Sequence, residues 1–297
     1  MNLHELHRLL RGISLTLLVV IAGWLVSDTA FASQVKRFLI ASDLLADHAV
    51  SNARLRGQIG GGTNAVFVVN GKAYIGEGVR LTILDVSNPA QPTVLGKGLP
   101  FPDIIQGIFV QGSLAYIAVG FSGLHIVDVT NPANPVEVGS YDSPGDAVGV
   151  YVAGATAYLA DSQSGLRVVN VSNPASPAEL SFFDTPGEAR GVTVVGSIAY
   201  VADGASGLRL INVANPASPV EIGFYDTPGE ARGVAVFGAT AYVADRFSGL
   251  RVVDASNPAK PTEVGFLNTF GEALRVFVLG TTAYVADGFG GLQVVNI

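Results

Sequence analysis

A six-bladed, all-β propeller is the fold this sequence predicts, and three observations carry the prediction. The tyrosines of six Ala-Tyr pairs fall at Tyr74, Tyr116, Tyr158, Tyr200, Tyr242 and Tyr284, 42 residues apart each time. Short apolar segments punctuated by Gly and Pro run between them, and such a period without amphipathic helices belongs to propeller blades. The segments are too apolar for sheets with one wet face, whereas blades packed face to face around an axis are greasy on both sides. The unit is clearest from Asp226 to Phe266, DTPGEARGVAVFGATAYVADRFSGLRVVDASNPAKPTEVGF, which most of the chain repeats with small edits.

Taken in order, residues 1–32 have the parts of a secretory signal peptide: basic Arg8 and Arg11, an apolar core from Ile13 to Val26, and Ala30-Phe31-Ala32 before the expected cut. That core falls short of the ~20 residues needed to span hydrocarbon. Cleavage is therefore expected, leaving no membrane span, with the mature protein secreted, periplasmic or on the cell surface. The chain has no cysteine, so an exported fold must hold together by core and sheet alone, without disulfides. Residues 33–53 carry a weak helical spacing at Val35, Phe38, Leu39, Leu45 and Val50, read as a short helix or stalk.

Residues 54–297 form the propeller, with repeats from about residue 62. In the copy starting at Gly191 the breakers place strands at Gly191 to Val195, Ile198 to Ala202, Leu208 to Val213 and Val220 to Tyr225, a four-stranded meander. The small Gly191 and Gly233 at the start of the first strand suit a crowded axis. Copy six ends at Ile297, the close of its third strand. The strand-like stretch 54–59, Arg54-Leu55-Arg56-Gly57-Gln58-Ile59, is expected to complete it and close the ring, removing two exposed sheet edges.

The third strands read Leu250-Arg-Val-Val-Asp254, Leu124-His-Ile-Val-Asp128 and Leu81-Thr-Ile-Leu-Asp85, each followed after two intervening residues by Asn-Pro. The chain in this respect resembles the LVIVD-repeat family of bacterial and archaeal exported and surface proteins. The resemblance covers residues 62–297 and implies an exported or cell-surface propeller. It implies no common reaction, so no catalytic residue is carried over. Asn170, Asn212 and Asn296 stand where the motif has Asp, which argues against a charge-dependent role there.

Function has to be sought on one face. In an up-and-down meander the loops between blades and the loops between strands two and three share an end. That end gathers Asp161, Asp203, Asp245 and Asp287 from the inner loops, Asp146, Glu188, Glu230 and Glu272 from the connections, and Arg190, Arg232 and Arg246. The opposite end is nearly uncharged apart from Lys260. Phe121, Phe247 and Phe289 recur at one inner-loop position, either as an apolar rim or packed on the neighbouring blade. Phe270 replaces a proline, and Arg275 a glycine. The bland account of the charges is that each Asp caps its own turn, while Glu188 with Arg190 and Glu230 with Arg232 make exposed pairs worth under ~1 kcal/mol.

The net charge of −7, scattered rather than clustered, excludes nucleic acid as a partner, because a binder needs a concentrated basic face. Enzyme readings find little support: the mature chain has only His48 and His125, and a Ser-His-Asp site would need His125 beside a serine. The expectation is a non-catalytic binding module for a protein or surface glycan of the cell envelope. No cofactor is expected; calcium on the ring of carboxylates is the one candidate. The alternatives are a calcium-assisted, lactonase-like hydrolase and a purely structural envelope component.

Overall fold

The computed structural model describes residues 63–297. The signal segment, the 33–53 stretch and the closing strand 54–59 lie outside the described residues. Six antiparallel sheets follow one another, each strand pairing with its sequence neighbour; the first five have four strands and the last has three. We call them blades one to six. Blade four runs Gly191–Val195, Ile198–Ala202, Leu208–Asn212 and Val220–Tyr225, within one residue of the expected bounds. Blade six stops after Leu292–Asn296, and Gly288–Gly290 forms a single 3-10 turn. Among the described residues no helix is long and apolar enough to cross a membrane.

The strands form where the breakers allow. After each third strand an Asp or Asn turns the chain by accepting the amide two residues on, Asp128 from Thr130, Asn170 from Ser172 and Asn212 from Ala214. Either side chain supplies the same oxygen, which explains why Asp and Asn interchange at the end of the motif. In the Asn-Pro turns, Asn131, Asn173, Asn215 and Asn257 do likewise.

The core lies between blades. Apolar clusters join blades one and two through Ile83 and Ile108, two and three through Tyr116 and Val150, three and four through Tyr158 and Val192, four and five through Tyr200 and Val234, five and six through Tyr242 and Val285. Both faces of the middle blades are therefore covered, which is why their second and third strands are largely apolar on both sides. Among the described residues no such cluster joins blade six to blade one. Val66 and Val68 on blade one, and Phe277 and Leu279 on blade six, remain exposed.

A register shift recurs between the third and fourth strands of blades two to five. In blade two it falls between Ile126 and Val127, so Val127 faces Glu137. Blades three, four and five pair Val169 with Glu179, Ile211 with Glu221 and Val253 with Glu263 in the same way. The extra residue of a bulge moves the following side chain to the other face. Here it turns a glutamate toward the second residue of the third strand, which is His125, Arg167, Arg209 or Arg251.

Candidate functional site

The four inner-loop aspartates are completely buried. Asp245 accepts the Thr227 hydroxyl at 2.6 Å and the Gly229 amide at 2.8 Å. Asp161 is held by Ser143 and Gly145, and Asp287 by Thr269 and Gly271. Asp203 accepts the Gly187 amide at 2.8 Å. These donors lie 16 to 18 residues upstream, in the connection from the preceding blade. Each aspartate thus ties that connection to the inner loop and does not cap its own turn, which closes through backbone bonds such as Ser206 N–H to Asp203 O. Arg167, Arg209 and Arg251 stand 3.7 to 3.9 Å from these carboxylates and 3.6 to 3.9 Å from Glu179, Glu221 and Glu263. Burial pushes the Asp161, Asp203 and Asp245 carboxyls above the usual range, against the pull of the hydroxyl and amide donors.

Blade two replaces this brace as a set. Val119 takes the place of the aspartate, Phe101 that of the Ser or Thr, and Asp103 that of the glycine. The tie is reversed: Asp103, now on the connection, accepts the Phe121 amide of the inner loop at 3.0 Å. The arginine of the other blades becomes His125, buried and set edge-on against Phe101 at 5.1 Å between ring centres. Ser122 Oγ lies 2.8 Å from His125 Nε2, and Glu137 Oε1 lies 2.8 Å from His125 Nδ1. The sequence spacing of three between Ser122 and His125 hints at the first contact. The second depends on the bulge.

The other predicted residues sit toward solvent. Arg190 bonds Glu188, Arg232 bonds Glu230, and Arg246 bridges Glu230 at 2.8 Å and Glu272 at 3.6 Å. At Glu230 desolvation opposes ionisation, but Arg232 and Arg246 outweigh it and hold the carboxyl below its ordinary range. Arg246 has φ +49°, at an inner-loop position that blades two, four and six fill with Gly120, Gly204 and Gly288. A left-handed arginine costs of order 1 kcal/mol, and its guanidinium lies over the Phe247 ring at 4.6 Å. Phe121, Phe247, Phe270 and Phe289 are 74%, 66%, 77% and 104% exposed. Phe121, Phe247 and Phe289 are thus open to solvent and not buried against neighbouring blades. Phe247, Phe270 and Phe289 belong to blades five and six and their connection, whereas Phe121 stands apart on blade two.

Arg275 occupies the axis. The first strands of blades two to five begin with Gly107, Gly149, Gly191 and Gly233. A Cβ on Gly191 would stand 3.3 Å from the Gly233 Cα, and one on Gly233 3.2 Å from the Arg275 Cα. Arg275 donates to the carbonyls of Arg232 at 2.9 Å and Leu274 at 3.0 Å, and across the ring to Val148 at 3.4 Å. Crowding by the surrounding chain, and the nearby charges of Arg232 and Arg190, lower its affinity for its proton, although the side chain stays open to solvent. Among the described residues no three His, Asp or Glu side chains are grouped so as to hold a metal ion.

Comparison with known proteins bears on the fold and the family. The β-propeller domain of Myceliophteria thermophila Cps50 (Swd1) superposes with a TM-score of 0.65 at 12% identity, over 83% of this chain and 86% of that one. The computationally designed Ika8 protein superposes with a TM-score of 0.60 at 8% identity, over 79% and 71%. At such identities the likeness is one of fold alone. No curated protein matches the sequence. The family model for the LVIVD repeat matches six times in succession, over residues 60–97, 104–143, 144–185, 186–227, 228–269 and 270–297, one for each blade. The chain belongs to the LVIVD repeat family.

Proposed function

We propose that this protein is an exported propeller that binds a protein or surface-glycan partner of the cell envelope through the loop end of its ring. The contact would center on the sector of blades five and six. The observation that carries this is the exposure of Phe247, Phe270 and Phe289 on that sector, beside the Arg246 bridge between Glu230 and Glu272. Exposed aromatics rimmed by charged groups are the composition of a contact surface, where a ring supplies area at little entropic cost and Arg and Glu supply direction. Asp161, Asp203, Asp245 and Asp287 serve this surface from beneath by fixing its loops, and Glu188, Glu230, Glu272, Arg190, Arg232 and Arg246 meet the partner directly. Export rests on the signal-like sequence of residues 1–32.

Cosedimentation of the mature protein with envelope fractions tests the reading. Phe247→Ala with Phe289→Ala should abolish binding while the melting temperature holds, and Lys260→Ala at the opposite end should leave binding intact. Equal loss from both variants, or none from the phenylalanines, would sink it.

A further inference from the structure

The Ser122, His125 and Glu137 side chains of blade two form a relay that partner binding does not use. A carboxylate oxygen only accepts hydrogen bonds, so the 2.8 Å contact with Glu137 puts a proton on His125 Nδ1. That leaves the Nε2 lone pair to accept the Ser122 hydroxyl at 2.8 Å. This is the tautomer and the order of contacts by which an imidazole activates a serine. Phe101 holds the ring, and Ser122 and His125 border an open groove of about 550 Å³ walled by Pro102, Asp103, Phe121, Ser140 and Asp142, with Glu137 behind the imidazole. The loop serine recurs as Ser164, Ser206 and Ser248, but the residue three places on is then Arg167, Arg209 or Arg251, which cannot take a proton. Only blade two pairs the serine with a base.

We propose that Ser122 is an acyl-accepting nucleophile, with His125 as its general base and Glu137 as the positioning residue, and that the groove takes small uncharged esters. Ser122 Oγ attacks the ester carbonyl as its proton passes to His125 Nε2. The imidazolium returns that proton to the departing alkoxide, leaving an acyl-serine and an alcohol. Water then attacks the acyl-serine, giving its proton to Nε2, and the proton returns to Ser122 Oγ as the carboxylic acid leaves. Asp103 and Asp142 at the groove repel carboxylate substrates, while Phe121 and Pro102 offer an apolar wall. The amides of Ser122 and Gly123 are bonded to the Val119 and Gly120 carbonyls, and that of Phe121 to Asp103. With the Phe121, Ser122 and Gly123 amides engaged elsewhere, turnover is expected only on activated esters, since each missing oxyanion donor costs about 10²–10³ in rate.

The mature chain treated with a fluorophosphonate probe, with adducts mapped by mass spectrometry, decides the matter alongside p-nitrophenyl acetate hydrolysis. The adduct should fall on Ser122 and vanish with Ser122→Ala, and ester turnover should vanish with it. Labelling should slow at least about 100-fold in His125→Gln, slow in Glu137→Gln with part recovered in Glu137→Asp, and persist unchanged in Ser164→Ala. No Ser122 adduct, equal labelling of Ser164, Ser206 and Ser248, or a wild-type rate in a folded His125→Gln overturns the proposal. This activity needs no partner, so its loss or presence is read independently of envelope binding.

Discussion

Blades two and five occupy equivalent places in the ring, yet their loops are braced by opposite means. Blade five buries Asp245 beside Arg251 and draws the incoming connection onto the carboxylate through Thr227 and Gly229. Blade two has Val119 and His125, and the carboxylate that makes the tie, Asp103, comes from the connection itself. The backbone of the two blades is the same, so the frame asks only that some acceptor join the two loops. Which side supplies it is free, and where the aspartate is given up the arginine is released too. That release is what lets a histidine meet a serine in blade two.

The comparison holds only if both blades sit in a closed ring, and closure is where the largest effect is expected. In blades two to five the fourth strand starts 13 residues before the next first strand, as Val220 does before Gly233. Counting the same 13 back from Ala65, where blade one begins, reaches residue 52, so the frame of a fourth strand overlaps the expected closing stretch 54–59. Blade six has only three strands, and the facing sides of blades six and one are exposed among the described residues. Deleting residues 33–60 should abolish the single cooperative melting transition, followed by circular dichroism. An unchanged melting temperature would refute a closing strand.

Next in size is a direct transplant of one blade's brace into the other. Asp245→Val strips Thr227 and Gly229 of their acceptor and leaves Glu263 as the one carboxylate beside the buried Arg251. A loss of about 3 kcal/mol is expected by denaturant unfolding. Adding Arg251→His should recover part of it, because Glu263 is aimed by the same bulge that aims Glu137 at His125. A double variant no more stable than the single one would show that the two changes in blade two are unrelated.

The period, the strands and the missing last strand were all legible in the sequence, because repetition multiplies a weak local signal sixfold. The buried role of the aspartates was not, since a residue before glycine looks like a turn cap until the chain 16 residues upstream is folded against it. A signal did exist: Asp and Ser or Thr recur 18 residues apart in four copies, and both vanish together as Val119 and Phe101. The Glu137 contact had none, because strict alternation along the fourth strand would put Val138 on that face, and only the bulge substitutes the glutamate.

A pH difference between the two kinds of brace comes next. Burial raises the Asp203 carboxyl above its unfolded range, so its stabilising contribution is complete below the ordinary aspartate pKa and is lost as pH rises through the folded value. Asn at this position copies the protonated form and carries no such loss. The stability deficit of Asp203→Asn relative to wild type should therefore shrink between about pH 4 and pH 7, measured as the difference in melting temperature. Val119→Ala in blade two, which has no titrating group at that place, should show a constant deficit. A constant deficit in Asp203→Asn would mean that the aspartate is ionised throughout that range.

The smallest effect on stability is expected at Arg246, and its smallness is informative. Replacing it with the glycine of blades two, four and six relieves a left-handed backbone, worth of order 1 kcal/mol. The same change loses half-buried ion pairs to Glu230 and Glu272 and a ring contact with Phe247, together worth about as much. Arg246→Gly should thus unfold within about 1 kcal/mol of wild type. An arginine kept in a strained turn for no net stability has its reason outside the fold. Envelope binding should fall in the same variant, and intact binding at unchanged stability would remove blade five from the contact surface.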